Sequence, residues 1–192
     1  MRAVRFFSFF SSVGFSHSYL IGPDGGGDAV LIDPSVFDAP VLQAIESNRL
    51  RLRAILVTHA HEAHVRAIRA ILKVYRVDIY SNQPSALEVP AHHVQQGDTL
   101  SLGGLRIDVL ETPGHSIDSV CFHTADMVFT GDTLHAGGIG PTRDGYGRTL
   151  LLASIREKLL PLDDRTLLYS GHGPPSRIGV ERKHNPYLRE RL

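Results

Sequence analysis

Apolar and polar positions alternate along the chain in a way that predicts many short strands with helices interleaved. Residues 54–57 (AILV) form a continuous apolar run, which is typical of a strand covered on both faces. Helical spacing of apolar residues predicts helices at 38–48, 62–75 and 150–160, and a short one at 84–87. Strands are predicted at 4–10, 16–21, 29–33, 54–57, 77–80, 93–95, 99–102, 105–112, 119–123, 127–130 and 166–169. This order favours either two packed sheets with helices outside or one mixed α/β sheet.

Length and composition narrow the class of protein. A chain of 192 residues predicts one domain, residues 1–192, and the equal counts of basic and acidic residues (20 each) give no sign of a nucleic-acid or membrane partner. No apolar run approaches the ~20 residues of a spanning helix. Residues 1–10 hold two FF pairs interrupted by serine, which favours a strand over a secretory signal. The single cysteine, Cys121, suits a reducing compartment, so we expect a cytoplasmic protein.

Histidine is abundant, and the densest group lies at residues 58–64 (THAHEAH), between a predicted buried strand and a predicted helix. His59 and His61 are two residues apart, so in an extended loop their side chains point to one side. The first helical turn then brings His64 back toward them. Neutral imidazole is a ligand of zinc, iron and copper. The segment therefore predicts a metal site.

Three later segments each place a polar residue beside glycine directly after a predicted strand. They are PGHS with His115, GD with Asp132 and GHG with His172. Glycine permits tight turns and close backbone approach. One such segment alone is typical of an ordinary turn. Together with residues 58–64, however, the three indicate a single site to which several strand ends contribute.

At these residues the sequence resembles the metallo-β-lactamase superfamily, and within it the short bacterial relatives of hydroxyacylglutathione hydrolase (glyoxalase II). The resemblance runs from LIDPS (31–35) through GDTL (131–134) and GGIG (137–140) to HNPYL (184–188). It implies an α/β (α+β) fold, namely an αββα sandwich of two mixed β-sheets flanked by helices, with metal at one edge of the sheets.

The resemblance also implies a role for each site residue. It assigns His59, His61 and His115 to a first metal position, and His64 and His172 to a second. It makes Asp132 the carboxylate shared by both positions, and it places Asp33 behind the histidine loop as an orienting group. One or two zinc ions are expected, with iron as the alternative, and the expected partner is a small-molecule substrate. Homodimerisation through the Phe-rich first strand is a further option.

The chain departs from the family pattern at position 63, where Ala63 replaces an aspartate that would ligate the second metal. Glu62 is one residue away and is expected to point elsewhere. His135, where the relatives carry an aromatic residue, is predicted with Asp132 to be catalytic: it either replaces the lost ligand or moves protons, unless it is simply a solvent-facing histidine. Pro141 stands where the relatives carry arginine.

The resemblance predicts a metal-dependent hydrolase of the thioesterase type, acting on a hydroxyacylglutathione-like substrate through metal-bound hydroxide. An alternative is a mononuclear iron enzyme of the persulfide dioxygenase kind, which would use His59, His115 and Asp132 and has no need of an acid at position 63. A third reading is a degenerate metal-binding domain without catalysis. Cys121 is expected to be a buried hydrophobic residue and not a nucleophile.

Overall fold

The computed structural model describes residues 4–189, which form two six-stranded sheets packed face to face. The strands of the first sheet lie in sequential order. They are antiparallel from the first to the third strand and parallel from the third to the sixth. These strands are β1 (Val4–Ser11), β2 (Ser16–Pro23), β3 (Gly27–Ile32), β4 (Leu50–Val57), β5 (Asp78–Ser81) and β6 (His92–His93).

The second half of the chain supplies the other sheet and a small hairpin. Its strands are β7 (Thr99–Leu102), β8 (Leu105–Glu111), β9 (Val120–Thr124), β10 (Met127–Gly131), the hairpin pair β11 (Leu134–His135) and β12 (Gly138–Ile139), β13 (Leu167–Ser170) and β14 (Ser176–Arg177). The order across the sheet is β14-β13-β10-β9-β8-β7. Because β9 is antiparallel to both β8 and β10, and β13 is parallel to β10, strands β8, β10 and β13 all end at the same edge.

Helices cover the outer faces of both sheets. They are α1 (Ala39–Ser47), α2 (Glu62–Val65), α3 (Ile68–Leu72), α4 (Gly145–Ser154), α5 (Ile178–His184) and α6 (Pro186–Arg189). Asp38 and Asp144 begin α1 and α4 by accepting hydrogen bonds from the backbone N–H groups of Val41 and Gly147, at 3.3 and 2.7 Å. A single-turn helix at Pro84–Ala86 and a π-helical turn at Ile155–Leu159 complete the helical segments.

The single helix predicted over residues 62–75 is two short helices in the structure. The N–H of Ala67 donates to the carbonyl of Pro34 at 3.0 Å, so it does not bond to the carbonyl four residues earlier in its own helix. This contact ties the helical segment to the chain that follows β3. The prediction of one continuous helix was therefore wrong, because a tertiary hydrogen bond interrupts the hydrogen-bond pattern of the helix.

The core lies in three layers, and β4 shows how its residues divide between them. Ala54 and Leu56 point into the layer between the two sheets, whereas Ile55 and Val57 pack toward α1 and α3. All four are fully buried, which confirms the strand covered on both faces. A third layer, around Cys121, joins the second sheet to α4 and α5. The predicted αββα sandwich of two mixed sheets is thus confirmed.

Three sequence predictions concern the molecule as a whole. The prediction of one domain includes residues 1–3 and 190–192, which lie outside the described residues. Strand β1, the edge proposed for homodimerisation, does lie at the edge of the first sheet, and dimerisation through it stays a prediction. Within residues 4–189, no helix is long and apolar enough to cross a membrane.

Candidate metal centre

The loop after β4 positions His59 through a relay of side chains. The hydroxyl of Thr58 donates to Asp33 Oδ2 at 2.6 Å, so its oxygen is free to accept from His59 Nδ1 at 3.1 Å. That hydrogen bond fixes the proton of the ring on Nδ1. The buried Nε2 of His59 therefore keeps its lone pair and points away from Thr58.

Asp33 holds the same loop at two further points. Its Oδ1 accepts from the backbone N–H of Thr58 at 2.8 Å, and its Oδ2 accepts from His64 Nδ1 at 3.0 Å. As with His59, this leaves Nε2 of His64 directed into the cluster. The predicted orienting position of Asp33 corresponds to these contacts, which are the kind that set the ring orientation of a metal-binding histidine.

His115 and His61 meet at the more open side of the cluster. His115 Nδ1 donates to the carbonyl of Pro141 at 2.6 Å, so Nε2 of His115 is the acceptor nitrogen. That nitrogen lies 3.0 Å from Nδ1 of His61. His61 is itself exposed to solvent. The unusual Pro141 thus orients a site residue through its backbone carbonyl.

Asp132 lies at the centre, and its two carboxylate oxygens face different histidines. Oδ2 lies 3.5, 3.6 and 3.8 Å from the Nε2 atoms of His115, His64 and His59. Oδ1 lies 2.8 Å from His172 Nδ1 and 3.5 Å from His135 Nε2. Burial raises the pKa of Asp132, but the rings of His135, His172 and His64 outweigh burial and hold the pKa well below its usual range. The group is therefore an ionised carboxylate.

The electrostatics of the cluster favour a positive charge at its centre. Burial lowers the pKa of His64, but Asp33 and Asp132 outweigh burial and raise it to about 10. His172 donates from Nε2 to the carbonyl of Gly14 at 3.1 Å, and its hydrogen bond to Asp132 raises its pKa. Burial and the neighbouring rings lower the pKa of His59 well below its usual value. A proton on His64 thus supplies positive charge beside Asp33 and Asp132, and a metal cation can supply that charge instead.

Unpartnered nitrogens show that the site suits a metal ion. Among the described residues, the buried Nε2 atoms of His59, His64 and His135 have no hydrogen-bond partner. A buried polar atom left unpaired costs about 1–3 kcal/mol, and a cation among the lone pairs would satisfy several such atoms at once. Three residue sets have candidate ligand atoms within 4.8 Å of one another: His59, His61 and His115; His59, His64 and Asp132; and Asp132, His135 and His172.

Two glycines allow the backbone to pass close to these side chains. A Cβ on Gly171 would lie 2.4 Å from Cε1 of His64 and 2.6 Å from Oδ1 of Asp132. A Cβ on Gly140 would lie 1.7 Å from the carbonyl oxygen of Asp132. Neither position can hold a side chain without displacing the site, which explains the glycine before His172 and the last glycine of the GGIG segment.

The structure brings the sequence-predicted site residues together, and it leaves Glu62 outside them. The carboxylate of Glu62 is exposed and pairs with Arg66 at 3.4 Å, as expected for a residue that points elsewhere. Cys121 is fully buried, and burial raises the pKa of its thiol to about 12, so it is no nucleophile. The assignment of each site residue as a ligand or catalytic group stays a prediction.

Sequence reasoning missed three contributors. Thr58 links Asp33 to His59, and the carbonyl of Gly14 orients His172. Asp118 is buried and accepts from the backbone N–H of Ala60 at 2.8 Å, which ties the histidine loop to the loop that carries His115. The position of Asp118, three residues after His115, was the available signal. The local sequence gave no sign that Thr58 would link two side chains or that the carbonyl of Gly14 would orient a histidine.

The sandwich with a histidine- and carboxylate-rich site at one sheet edge defines a class of metal-binding proteins, and comparison with known families agrees. The model of the metallo-beta-lactamase superfamily matches residues 11–172, so the chain belongs to this superfamily. The probable metallo-hydrolase YqgX of Bacillus subtilis is 35% identical over 193 residues, covering 88% of this chain and 90% of that protein. The hydroxyacylglutathione hydrolase GloC of Haemophilus influenzae is 33% identical over 191 residues, covering 86% and 89%.

Solved structures show the same similarity. The B3 metallo-beta-lactamase BLEG-1 aligns with a TM-score of 0.87 and 31% identity, covering 97% of this chain and 100% of that one. ETHE1 from Myxococcus xanthus aligns with a TM-score of 0.85 and 34% identity, covering 95% and 83%. TTHA1623, solved in a di-iron-bound form, aligns with a TM-score of 0.78 and 28% identity, covering 95% and 100%. The family is thus shown, and it includes hydrolases.

Proposed function

We propose that this protein is a zinc-dependent hydrolase that cleaves a thioester of the hydroxyacylglutathione kind. The observation that carries the proposal is the set of histidines whose ring nitrogens converge on the buried carboxylate of Asp132. Imidazole and carboxylate groups in this number suit zinc. The naming of GloC, a relative that covers most of this chain, as a hydroxyacylglutathione hydrolase supports the substrate class.

The residues present would supply the hydrolytic chemistry without a protein nucleophile. A bound zinc ion lowers the pKa of its water toward ~7 and polarises a substrate carbonyl. His59, His61 and His115 would hold one ion, and Asp132 would reach toward it and toward the rest of the cluster through its second oxygen. Asp33 and the carbonyl of Pro141 would keep the rings oriented, so that little reorganisation accompanies the reaction.

A cavity of about 350 Å³ beside His61 and His115 is the candidate substrate pocket. Arg143 lines it, and the described residues offer this guanidinium no ion-pair partner within 4.0 Å. Its neighbour Asp144 is occupied in capping α4. Ile117 and Tyr146, each 77% exposed, add apolar surface at the opening. A cation at this position suits a substrate that carries a carboxylate on a flexible arm, as glutathione thioesters do.

A second candidate function is a mononuclear iron oxygenase of the persulfide dioxygenase kind. The observation that favours it is Ala63, because a site built from His59, His115 and Asp132 has no use for an acid at that position. Nε2 of both histidines lies within 3.8 Å of the same oxygen of Asp132. The likeness to ETHE1 supports the dioxygenase kind, and the likeness to TTHA1623, solved in a di-iron-bound form, supports iron as the metal.

The deciding experiment combines metal analysis with two assays. Protein purified without added metal is analysed for zinc and iron, then assayed for hydrolysis of S-D-lactoylglutathione with zinc and for oxygen uptake on glutathione persulfide with iron. We expect zinc-dependent hydrolysis that Asp132→Asn abolishes. We expect Arg143→Gln to raise KM with little change in kcat, since its contact is remote from the reacting carbonyl.

The control is His123→Gln, which alters a histidine in β9 outside the site and should retain wild-type kinetics. The thioesterase proposal fails if neither the zinc-loaded wild-type protein nor Ala63→Asp hydrolyses the thioester. Oxygen uptake with iron would then support the second candidate, and the absence of both activities would support a non-catalytic metal-binding domain.

A further inference from the structure

Position 63 offers the cluster no ligand, because its side chain is a methyl group. A Cβ built on Gly14 would lie only 3.0 Å from Cβ of Ala63, so the methyl group sits against the turn between β1 and β2. The carbonyl of Ala63 accepts from the hydroxyl of Ser16 at 2.8 Å, which holds this packing in place. The second side of the cluster therefore lacks the carboxylate that the family pattern places there.

His135 fills the corresponding chemical role from a different element. It lies in β11, where pairing with Gly138 of β12 fixes its backbone. Its Nε2 lies 3.5 Å from Oδ1 of Asp132, and the side chain is only 18% exposed. Within residues 4–189 that nitrogen has no hydrogen-bond partner. It therefore has the geometry of a ligand atom rather than that of a solvent-facing histidine.

The two oxygens of Asp132 separate the histidines into two sets. Oδ2 faces His59, His64 and His115, whereas Oδ1 faces His135 and His172. His172 presents Nδ1 to Asp132, because its Nε2 is engaged by the carbonyl of Gly14. One carboxylate oxygen and two imidazole nitrogens thus lie within 4.8 Å of one another on the side of the cluster toward Gly14.

We propose that Asp132 Oδ1, His135 Nε2 and His172 Nδ1 form the second metal position of this protein, with His135 replacing the missing acid at position 63. The inference rests on the proposed metal-dependent function, but it concerns ion binding alone. Two imidazoles and one carboxylate suit zinc or iron(II), and they leave coordination positions for water or substrate. In this proposal His135 acts as a ligand and not as a proton shuttle.

The test counts ions without using activity. Metal-stripped protein is titrated with Zn²⁺ by calorimetry, and bound zinc is counted by mass spectrometry after dialysis. We expect two ions for the wild-type protein and one for His135→Phe, with the tighter site unchanged and the weaker site at least 10-fold weaker. His135→Gln, which keeps a polar side chain, gives the same answer should the phenylalanine variant fail to fold.

Two further variants complete the design. His17→Phe is the matched control. His17 also has a buried, unpartnered ring nitrogen, but its ring packs between Phe10 and Tyr19 and belongs to none of the ligand sets. It should bind two ions. Adding Ala63→Asp to His135→Phe should restore the second ion. A double variant that still binds one ion would show that the two positions do not serve the same ion, and the replacement would be overturned.

The proposal is also overturned if the His135 variants bind two ions with wild-type affinities, if His17→Phe loses the same ion, or if the wild-type protein binds one ion only. Failure of the proposed function would look different. In that case two ions would bind and depend on His135, yet no thioester would be hydrolysed.

Discussion

Asp33 determines the orientation of two histidines while contributing no atom to the three ligand sets. Its backbone adopts a positive φ of 48°, a conformation uncommon for residues other than glycine, directly after β3. From there its two oxygens accept from Thr58 and His64. Strain at a single residue is thus coupled to the position of the whole loop at 58–64.

We expect Asp33→Asn to weaken zinc binding about 10–100-fold, the usual cost of losing an orienting group behind a metal ligand. The amide keeps the shape of the side chain, but it removes the charge and turns one acceptor into a donor that faces an N–H or O–H. A competition titration with a chromophoric chelator would measure the change in affinity.

The matched control is Asp28→Asn, at the other end of the same β3 strand. Asp28 pairs with Arg51 at 2.8 Å on a partly exposed surface, so its loss should leave zinc affinity unchanged. Equal zinc affinity in the Asp33→Asn variant and the wild-type protein would show that the ring orientations do not depend on this carboxylate.

At the scale of elements, Tyr19 ties the two sheets together next to the site. Its hydroxyl, on β2 of the first sheet, donates to the carbonyl of Ser170 on β13 of the second sheet at 2.5 Å. The ring packs against Phe129 and Tyr169 at centroid distances of 5.4 and 5.5 Å. Since Ser170 is two residues before His172, this bond helps to fix the strand end that carries a site histidine.

Tyr19→Phe should lower the free energy of unfolding by about 1–2 kcal/mol, because it removes a buried hydrogen bond and leaves a buried carbonyl less satisfied. Urea denaturation followed by circular dichroism would measure the loss. Tyr146→Phe removes a hydroxyl from a side chain that is 77% exposed, and should change stability by less than about 0.5 kcal/mol. Similar losses in the two variants would argue against a specific tie between the sheets.

The sequence predicted elements best where the pattern was local. The strand at 54–57 and the strands that precede His115, Asp132 and His172 follow from apolar runs and adjacent glycines. The break between α2 and α3 did not follow, because it depends on the carbonyl of Pro34, far away in sequence. The orientation of each imidazole was equally out of reach, since it depends on contacts with distant groups such as the carbonyls of Gly14 and Pro141.

At the scale of the molecule, the two sheets meet at an edge where histidine ring nitrogens gather around one carboxylate. The apolar layers are independent of that edge: residues such as Ile55, Phe122 and Leu151 are fully buried without contributing to the site. The chain is therefore expected to fold without metal, with the ion adding stability by binding the folded state only.

We expect removal of metal by a chelator to leave the far-ultraviolet circular dichroism spectrum unchanged while lowering Tm. Zinc at 100 times its dissociation constant should stabilise the folded state by about 2.7 kcal/mol, because the unfolded chain does not assemble the site. For a chain of this length that corresponds to roughly 5–10 °C in Tm. Thermal denaturation at increasing zinc concentrations would measure the rise in Tm.

Asp132→Asn is the informative comparison, since it removes the charge that both histidine sets face. Its Tm should rise much less with zinc than that of the wild-type protein. A zinc-independent Tm in the wild-type protein, or an equal rise in both proteins, would mean that zinc does not bind where these lone pairs converge.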